Sequence, residues 1–231
     1  SFQDGGRPGQ GGQGVSGSGA MDLGAMRRAN RALGNPAGAP VLEITLGPTR
    51  LRADLAMVLA LAGAAQAHVV GHAVPRGAAF AVDAGDEIVI EPPMAGMRSY
   101  LALRGGYRVA PVLGSAARDS LAHIGPPELT QGAVIAPAHR PATAVTPPEP
   151  QPQLPKPGDL VELPVTLGPR ADWFTAKALR HFLAQEWQVT PQSSRVGIRL
   201  AGDAVTRADA AELASEGTDV GAIQIPHSGQ P

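Results

Sequence analysis

Turn-forming residues recur so closely between residues 41 and 135 that no long helix fits among them. Gly-Pro, Pro-Arg-Gly, Ala-Gly-Asp and Pro-Pro each end an aliphatic run after a few residues. The runs so bounded predict strands at Val41–Leu46, Leu51–Ala53, Met57–Leu61, Ala67–Val70, Ala79–Val82, Glu87–Ile90, Arg98–Arg104 and Ala133–Ile135. Regular short strands with close corners point to a β-barrel or sandwich. Composition agrees. Glycine (29) and proline (23) make up 52 of the 231 residues, and Phe, Tyr and Trp together only eight. Hydrophobic residues nevertheless reach 43 %, so a core must be packed from Val, Leu, Ile and Ala.

Charge and cysteine content exclude several function classes. Nineteen Lys and Arg face twenty Asp and Glu, a net charge of −1, so the chain carries no basic field for nucleic acid or anionic lipid. The absence of cysteine removes disulfides, a thiol nucleophile and Cys-based zinc sites. The longest apolar run, Leu55 to Ala65, is too short to cross a bilayer. No signal-peptide pattern opens the sequence, so cytoplasmic residence is expected.

Around the strand-rich region the chain divides by composition. Residues 5–19 are glycine-rich, the mark of a flexible loop or of a backbone that must approach something closely. Ala20 to Leu33 has helical periodicity, with Met21, Met26, Ala29 and Leu33 on one side, and Gly34-Asn35-Pro36 stops it. Residues 137–164 contain nine prolines in twenty-eight positions and predict an extended, semi-rigid linker. Beyond it come a strand at Val165–Leu167, a helix from Trp173 to Ala184 introduced by Asp172, and strands at Glu186–Val189, Arg195–Ala201 and Ala222–Ile225. Both halves run from a Gly/Arg/Pro-containing loop through an Asp-marked helix to β segments, which suggests a duplicated module. The expected domains are residues 1–136, a linker 137–164, and a shorter copy 165–231 with too few strands to close a barrel. The missing initiator Met and that short copy predict a fragment of a longer chain.

Few motifs carry chemistry unaided. Residues 9–14 match G-x-G-x-x-G literally, but Arg7-Pro8 stands where a dinucleotide fold needs a hydrophobic strand. No Gly-rich stretch ends in Gly-Lys-Ser/Thr, and no serine sits in G-x-S-x-G. His68 and His72 have helical ligand spacing, yet Val69-Val70-Gly71 favours strand and turn and no carboxylate completes a set, so no metal is expected. Asp83, Asp86, Glu87 and Glu91 read as solvated charge around a hairpin. Ser18 precedes the first helix and fits a helix-start role or an anion contact. Arg104-Gly105-Gly106 ends an apolar strand and could present a guanidinium beside free amides.

Taken together, ordered segments along the whole chain resemble one family. They include Gln3-Asp4, Gly6-Arg7-Pro8-Gly9, Gly14-Val15, Ser18-Gly19-Ala20-Met21-Asp22, the run Ala25 to Pro36, Leu42-Glu43-Ile44-Thr45, Ala84-Gly85-Asp86, Tyr100 to Gly106 and Pro111 to Ser115. The second half adds Gly168 to Phe174, Ser194 to Gly197, Glu216-Gly217, Gly221 to Pro226 and Gly229 to Pro231. They resemble the biotin-dependent carboxyltransferase-like proteins, also called the allophanate hydrolase subunit 2 family. That family includes the C component of 5-oxoprolinase and the carboxyltransferase domain of urea carboxylase. The resemblance implies a mainly β fold of two cyclophilin-like β-barrel lobes, each with a short helix and the second truncated. It implies an ATP-dependent lactam hydrolase that converts 5-oxo-L-proline to L-glutamate with partner subunits A and B. Arg7, Ser18, Arg28, Asn30, Arg104 and Gln224 are the expected substrate contacts, in a cleft between lobes. An alternative is carboxyl transfer from biotin to urea or a related amide. No Met-Lys-Met surrounds Lys156 or Lys177, so biotin would be attached to another chain. A third reading is a non-catalytic regulator that binds a protein such as a kinase inhibitor; isomerase activity inferred from the barrel is the weakest. One departure stands out: the family pattern places Arg-Ser-Thr after Gly114-Ser115, where this chain has Ala116-Ala117-Arg118, which puts a ligand role for that loop in doubt.

Overall fold

The computed structural model describes residues 1–208, 211 and 216–231. They divide into two units, Ser1–Val161 and Glu162–Pro231. In the first, nine strands form: β1 (Phe2–Gln3), β2 (Val41–Thr45), β3 (Thr49–Arg52), β4 (Met57–Gly63), β5 (Ala67–Val69), β6 (His72–Val74), β7 (Ala79–Val82), β8 (Glu87–Ile90) and β9 (Arg98–Leu103). They build two antiparallel sheets, ordered β1-β2-β9-β4-β7 and β3-β8-β5-β6. Only the β5–β6 hairpin joins neighbours in chain order within the second sheet; from β2 onward every other connection passes from one sheet to the other. That is why turn residues are so dense. Each crossing needs a sharp corner within a few residues, as at Leu46-Gly47, where φ is 59° and 71°.

The sheets face each other across one aliphatic core. Leu59 and Leu61 of β4 and Leu101 and Leu103 of β9 meet Ile88 and Ile90 of β8, with Phe2 stacked edge-on to Tyr107 at 5.6 Å. The strand period of two sends the intervening residues to the opposite face. There Ala60, Ala62, Tyr100 and Ala102 receive Ala25, Met26, Ala29 and Leu33 from helix α1 (Leu23–Ala32) and its C-cap. Alanines on both partners let helix and sheet approach closely. The helix starts at Leu23 rather than Ala20 because the Asp22 carboxylate caps it, accepting from the Ala25 amide at 2.8 Å.

Among the described residues neither sheet closes on itself, and no ladder joins one to the other. The fold is mainly β, as expected, but the expected barrel is two open sheets around a core. The strand expected at Ala133–Ile135 does not form. Pro137 and Pro141 lack ladder donors; the stretch makes the Tyr107–Pro137 bridge with flanking bonds Arg108 N to Ala136 O (2.8 Å) and Ala138 N to Gly106 O (2.9 Å), the bond Arg140 N to Gly105 O (3.0 Å), and a local turn in which Ala133 N donates to Thr130 O (3.1 Å). The proline-rich stretch read as a linker makes contacts with the first unit as far as Pro155. Thr143 N donates to Gly34 O at 2.8 Å, Glu149 takes both Nε and Nη2 of Arg31 at 2.6 and 2.7 Å, and Gly96 N donates to Pro155 O at 2.8 Å.

The second unit holds a 3₁₀ turn at Ala171–Trp173, helix α2 (Ala176–Ala184) capped by Thr175, and the short pair β10 (Gln188–Val189) and β11 (Leu200–Ala201). Trp187 packs on Phe182 with centroids 5.8 Å apart and donates to the Phe182 carbonyl at 3.0 Å. The strands expected at Val165–Leu167 and Ala222–Ile225 are not formed, and two others are shortened. Val189, Val196, Ile198 and Ile223 remain exposed; within the unit no facing layer buries them, and burial is what stabilises such strands.

Candidate functional site

Two loops of the first unit meet along a seam. The glycine-rich loop that follows β1 lies against residues 111–125. Asp4 receives the Gly6 amide at 2.8 Å and the Ser115 hydroxyl at 2.5 Å on Oδ1, and the Ala116 amide at 2.6 Å on Oδ2. Arg7 crosses the seam fully buried, donating from Nε to Val112 O at 3.3 Å and from Nη2 to Ala117 O, while its Nη1 is buried with no partner. Gln3 donates to Arg118 O at 3.1 Å, and Arg118 N to Phe2 O at 3.1 Å. Every contact made by 116–118 here uses backbone atoms. The side chains in which this chain departs from the family pattern are not what holds the loop.

At the seam's outer end lies a polar cluster. Asp119, buried, accepts the Ser16 hydroxyl at 2.6 Å and the Ser18 hydroxyl at 2.8 Å on Oδ2, and the Leu121 and Ala122 amides, both at 2.9 Å, on Oδ1. Burial pushes its pKa up, but the four donors outweigh burial and hold it down at about 2. Since the folded value lies below the unfolded one, the stabilisation is complete above pH ~4 and is lost as pH falls from ~4 toward ~2. It amounts to about 2 kcal/mol. Acid titration of the unfolding midpoint should therefore fall more steeply for the wild type than for Asp119→Asn; parallel curves would show that Asp119 contributes nothing.

A second polar network pins the end of α1 to the end of β9. Asn30, fully buried, donates to Ala39 O at 2.8 Å; Asn35 donates to Leu103 O at 2.8 Å and accepts the Gly105 amide at 3.0 Å; Arg104 Nη1 donates to Leu33 O at 2.5 Å. Next to it opens a cleft of about 300 Å³ with Asp4, Asn35, Gly105, Gly114, Ala116 and Arg140 on its walls. At the other end of α1, Tyr100 accepts the Asp22 amide at 2.7 Å and donates to Glu43 at 3.0 Å, and Glu43 also takes the Met21 amide at 3.0 Å. Burial in the first place, and the Glu43 charge in the second, push the Tyr100 phenol well above its usual range.

The six expected site residues fall into several places. Arg7 and Ser18 share the seam, and Asn30 and Arg104 share the α1 network. Arg28 lies on α1 with its Nε buried and unpartnered. Gln224 is exposed in the second unit. Asp4, Asn35, Glu43, Tyr100 and Asp119 complete these networks and are not among the expected site residues; the first four lie in segments that carry the family resemblance, Asn35 also in the helix stop, and Asp119 lies in neither. His68 Nδ1 lies 3.8 Å from Glu91, and His72 is exposed on the neighbouring strand. Among the described residues no group of three or more acidic or histidine side chains is placed to hold a metal.

The family described as carboxyltransferase domain, subdomain A and B, matches residues 13–231. The chain belongs to this family. Within the carboxyltransferase-domain family it is 37 % identical over 232 residues to the C component of 5-oxoprolinase from Escherichia coli, covering 99 % of this chain and 74 % of that protein. It is 31 % identical over 210 residues to the urea amidolyase of Lachancea kluyveri, covering 82 % of this chain but 11 % of that protein. The crystal structure of TTHA0988 superposes with a TM-score of 0.88 at 35 % identity over 100 % of this chain, which spans 45 % of the TTHA0988 chain. The structure of Kluyveromyces lactis urea amidolyase gives 0.75 at 29 % identity over 90 % of this chain and 14 % of its own. Among the described residues no helix is long and apolar enough to cross a membrane.

Proposed function

We propose that this carboxyltransferase-family chain is the C component of an ATP-dependent 5-oxoprolinase, hydrolysing 5-oxo-L-proline to L-glutamate together with subunits A and B in the cytoplasm. The observation that supports it most is the 37 % identity to the Escherichia coli C component over 99 % of the chain. A lactam is a poor electrophile, so the reaction needs its carbonyl activated and its developing oxyanion held by fixed donors. The cleft's side chains do not fit a triphosphate: one guanidinium, Arg140, lines it beside the Asp4 carboxylate. In this reading the nucleotide belongs to the partner subunits, and no step on this chain runs through it.

Three of the six candidate residues are occupied by the chain itself. Arg7, Asn30 and Arg104 direct donors at backbone carbonyls, and we assign them to positioning the loops. Of the other three, Ser18, whose hydroxyl donates to Asp119 and keeps its lone pairs, and Arg28 remain as substrate contacts of the first unit; Gln224 belongs to the second unit and is assigned no part in that site. The assay is glutamate release by the full-length chain reconstituted with A and B. Release is expected only when all three are present, and undiminished release without this chain would refute the assignment.

The likeness to the urea amidolyases favours a second reading, carboxyl transfer from biotin carried on another chain to urea or a related amide. Urea-dependent consumption of bicarbonate in the presence of a biotin carboxylase and a carrier protein, with no glutamate release from 5-oxoproline, would favour it over the first.

A further inference from the structure

The proton count of the Ser16–Ser18–Asp119 cluster decides what it can bind. Asp119 Oδ2 lies 2.6 Å from one hydroxyl and 2.8 Å from the other, and the hydroxyls are 3.1 Å apart. Each serine hydroxyl carries one proton and two lone pairs, and an ionised carboxylate carries no proton. Two protons therefore serve three internal oxygen–oxygen contacts, and no hydroxyl proton is left for an outside partner. Both serines are exposed while Asp119 is buried. What their side chains present outward is lone pairs alone. Ser18 is held at φ 52°, a conformation glycine adopts more easily. Its neighbour Gly6 leaves no room to relax, since a Cβ there would fall on the Gly17 carbonyl and 2.7 Å from Ser18 O. A side chain kept at a strained backbone position, with its only proton turned inward, is a specific arrangement rather than a default one.

We propose that Ser16 and Ser18 form an acceptor-only subsite, kept so by Asp119, for the N–H groups of an amide substrate. The proposal rests on the amide-acting readings above and specifies which part of the substrate is recognised here. A lactam or urea offers N–H donors to these lone pairs. An ester or lactone of the same shape offers an oxygen instead, sets lone pair against lone pair and is rejected. Ser16 and Ser18 are specificity residues, and Asp119 is a positioning residue that acts through them.

Calorimetry on the full-length chain, alone and with subunits A and B, tests this with 5-oxoproline against its lactone counterpart, 5-oxotetrahydrofuran-2-carboxylate. A second pair, urea against tetramethylurea, identifies which amide is bound. The wild type is expected to favour the N–H member of at least one pair by about tenfold or more. The double variant Ser16→Ala, Ser18→Ala should bring that preference close to one. Asp119→Asn should do more. Oδ1 receives two backbone amides, so the asparagine oxygen stays there and its NH₂ replaces Oδ2. The serine protons then turn outward and the preference swings toward the member without N–H. An unchanged preference in the double variant overturns the proposal, as does equal binding of both pairs by the wild type. Loss of the 5-oxoprolinase reading is separable: absent glutamate release with a retained N–H preference refutes that reading and leaves the subsite standing.

Discussion

Replacing Arg7 with alanine is expected to cost the first unit about 3–4 kcal/mol. The side chain is 2 % exposed and, among the described residues, pairs with no carboxylate. Its two bonds are to the carbonyls of Val112 and Ala117. Truncation leaves the buried Ala117 carbonyl without that donor, at about 1–3 kcal/mol for an unsatisfied group, while Val112 O keeps the Ser115 amide at 3.2 Å, and it opens a cavity as well. Arg7→Met, which keeps most of the volume and removes the donors, separates the two contributions and should recover only the packing part. Arg7→Lys should recover little, because an ammonium on a single stem cannot reproduce the guanidinium fork. Urea unfolding followed by far-UV circular dichroism measures all three. A loss below 1 kcal/mol in Arg7→Ala would show that the seam closes without its arginine.

The second large effect is expected at Gly34, just beyond the C-cap of α1. Its φ is +68°, and an added Cβ would fall on the Thr143 carbonyl oxygen and 2.7 Å from Ala144 O. Gly34→Ala therefore meets the left-handed penalty, about 1 kcal/mol, and a backbone clash that no side-chain rotation relieves. The segment above must lift, which breaks the bonds from Thr143 N (2.8 Å) and Thr143 Oγ1 (3.1 Å) to Gly34 O. We expect a total loss of about 2–3 kcal/mol and faster proteolysis between residues 143 and 155. Cleavage at the wild-type rate would mean that the segment is not seated by this glycine.

The corners and apolar runs of the first unit were legible because local chemistry sets them. Leu59, Leu61, Leu101 and Leu103 alternate with alanine and Tyr100, and the pleat converts that alternation directly into a core face and a helix-bearing face. Asp22 was legible as the mark of the first helix, but the periodicity carried the expected start back to Ala20, ahead of the cap. The seam was not legible. Asp4 and Asp119 act through partners more than a hundred residues away, and no local pattern encodes such pairing. The family departure at Ala116-Ala117-Arg118 drew attention to side chains where the contacts are made by backbone. In the second unit the aliphatic alternation at Arg195–Ala201 signalled a strand, but strand length depends on a facing layer, and within that unit Val196 and Ile198 face solvent.

The partition of the chain at Val161 also divides its chromophores. Both tyrosines, Tyr100 and Tyr107, lie in the first unit, and both tryptophans, Trp173 and Trp187, in the second. Tyr107 stacks on Phe2 in one core, and Trp187 stacks on Phe182 in the other unit. Intrinsic fluorescence therefore carries two unlabelled reporters. Tryptophan emission follows residues 162–231, tyrosine emission follows residues 1–161, and each unfolding transition can be assigned to its own unit in a single sample.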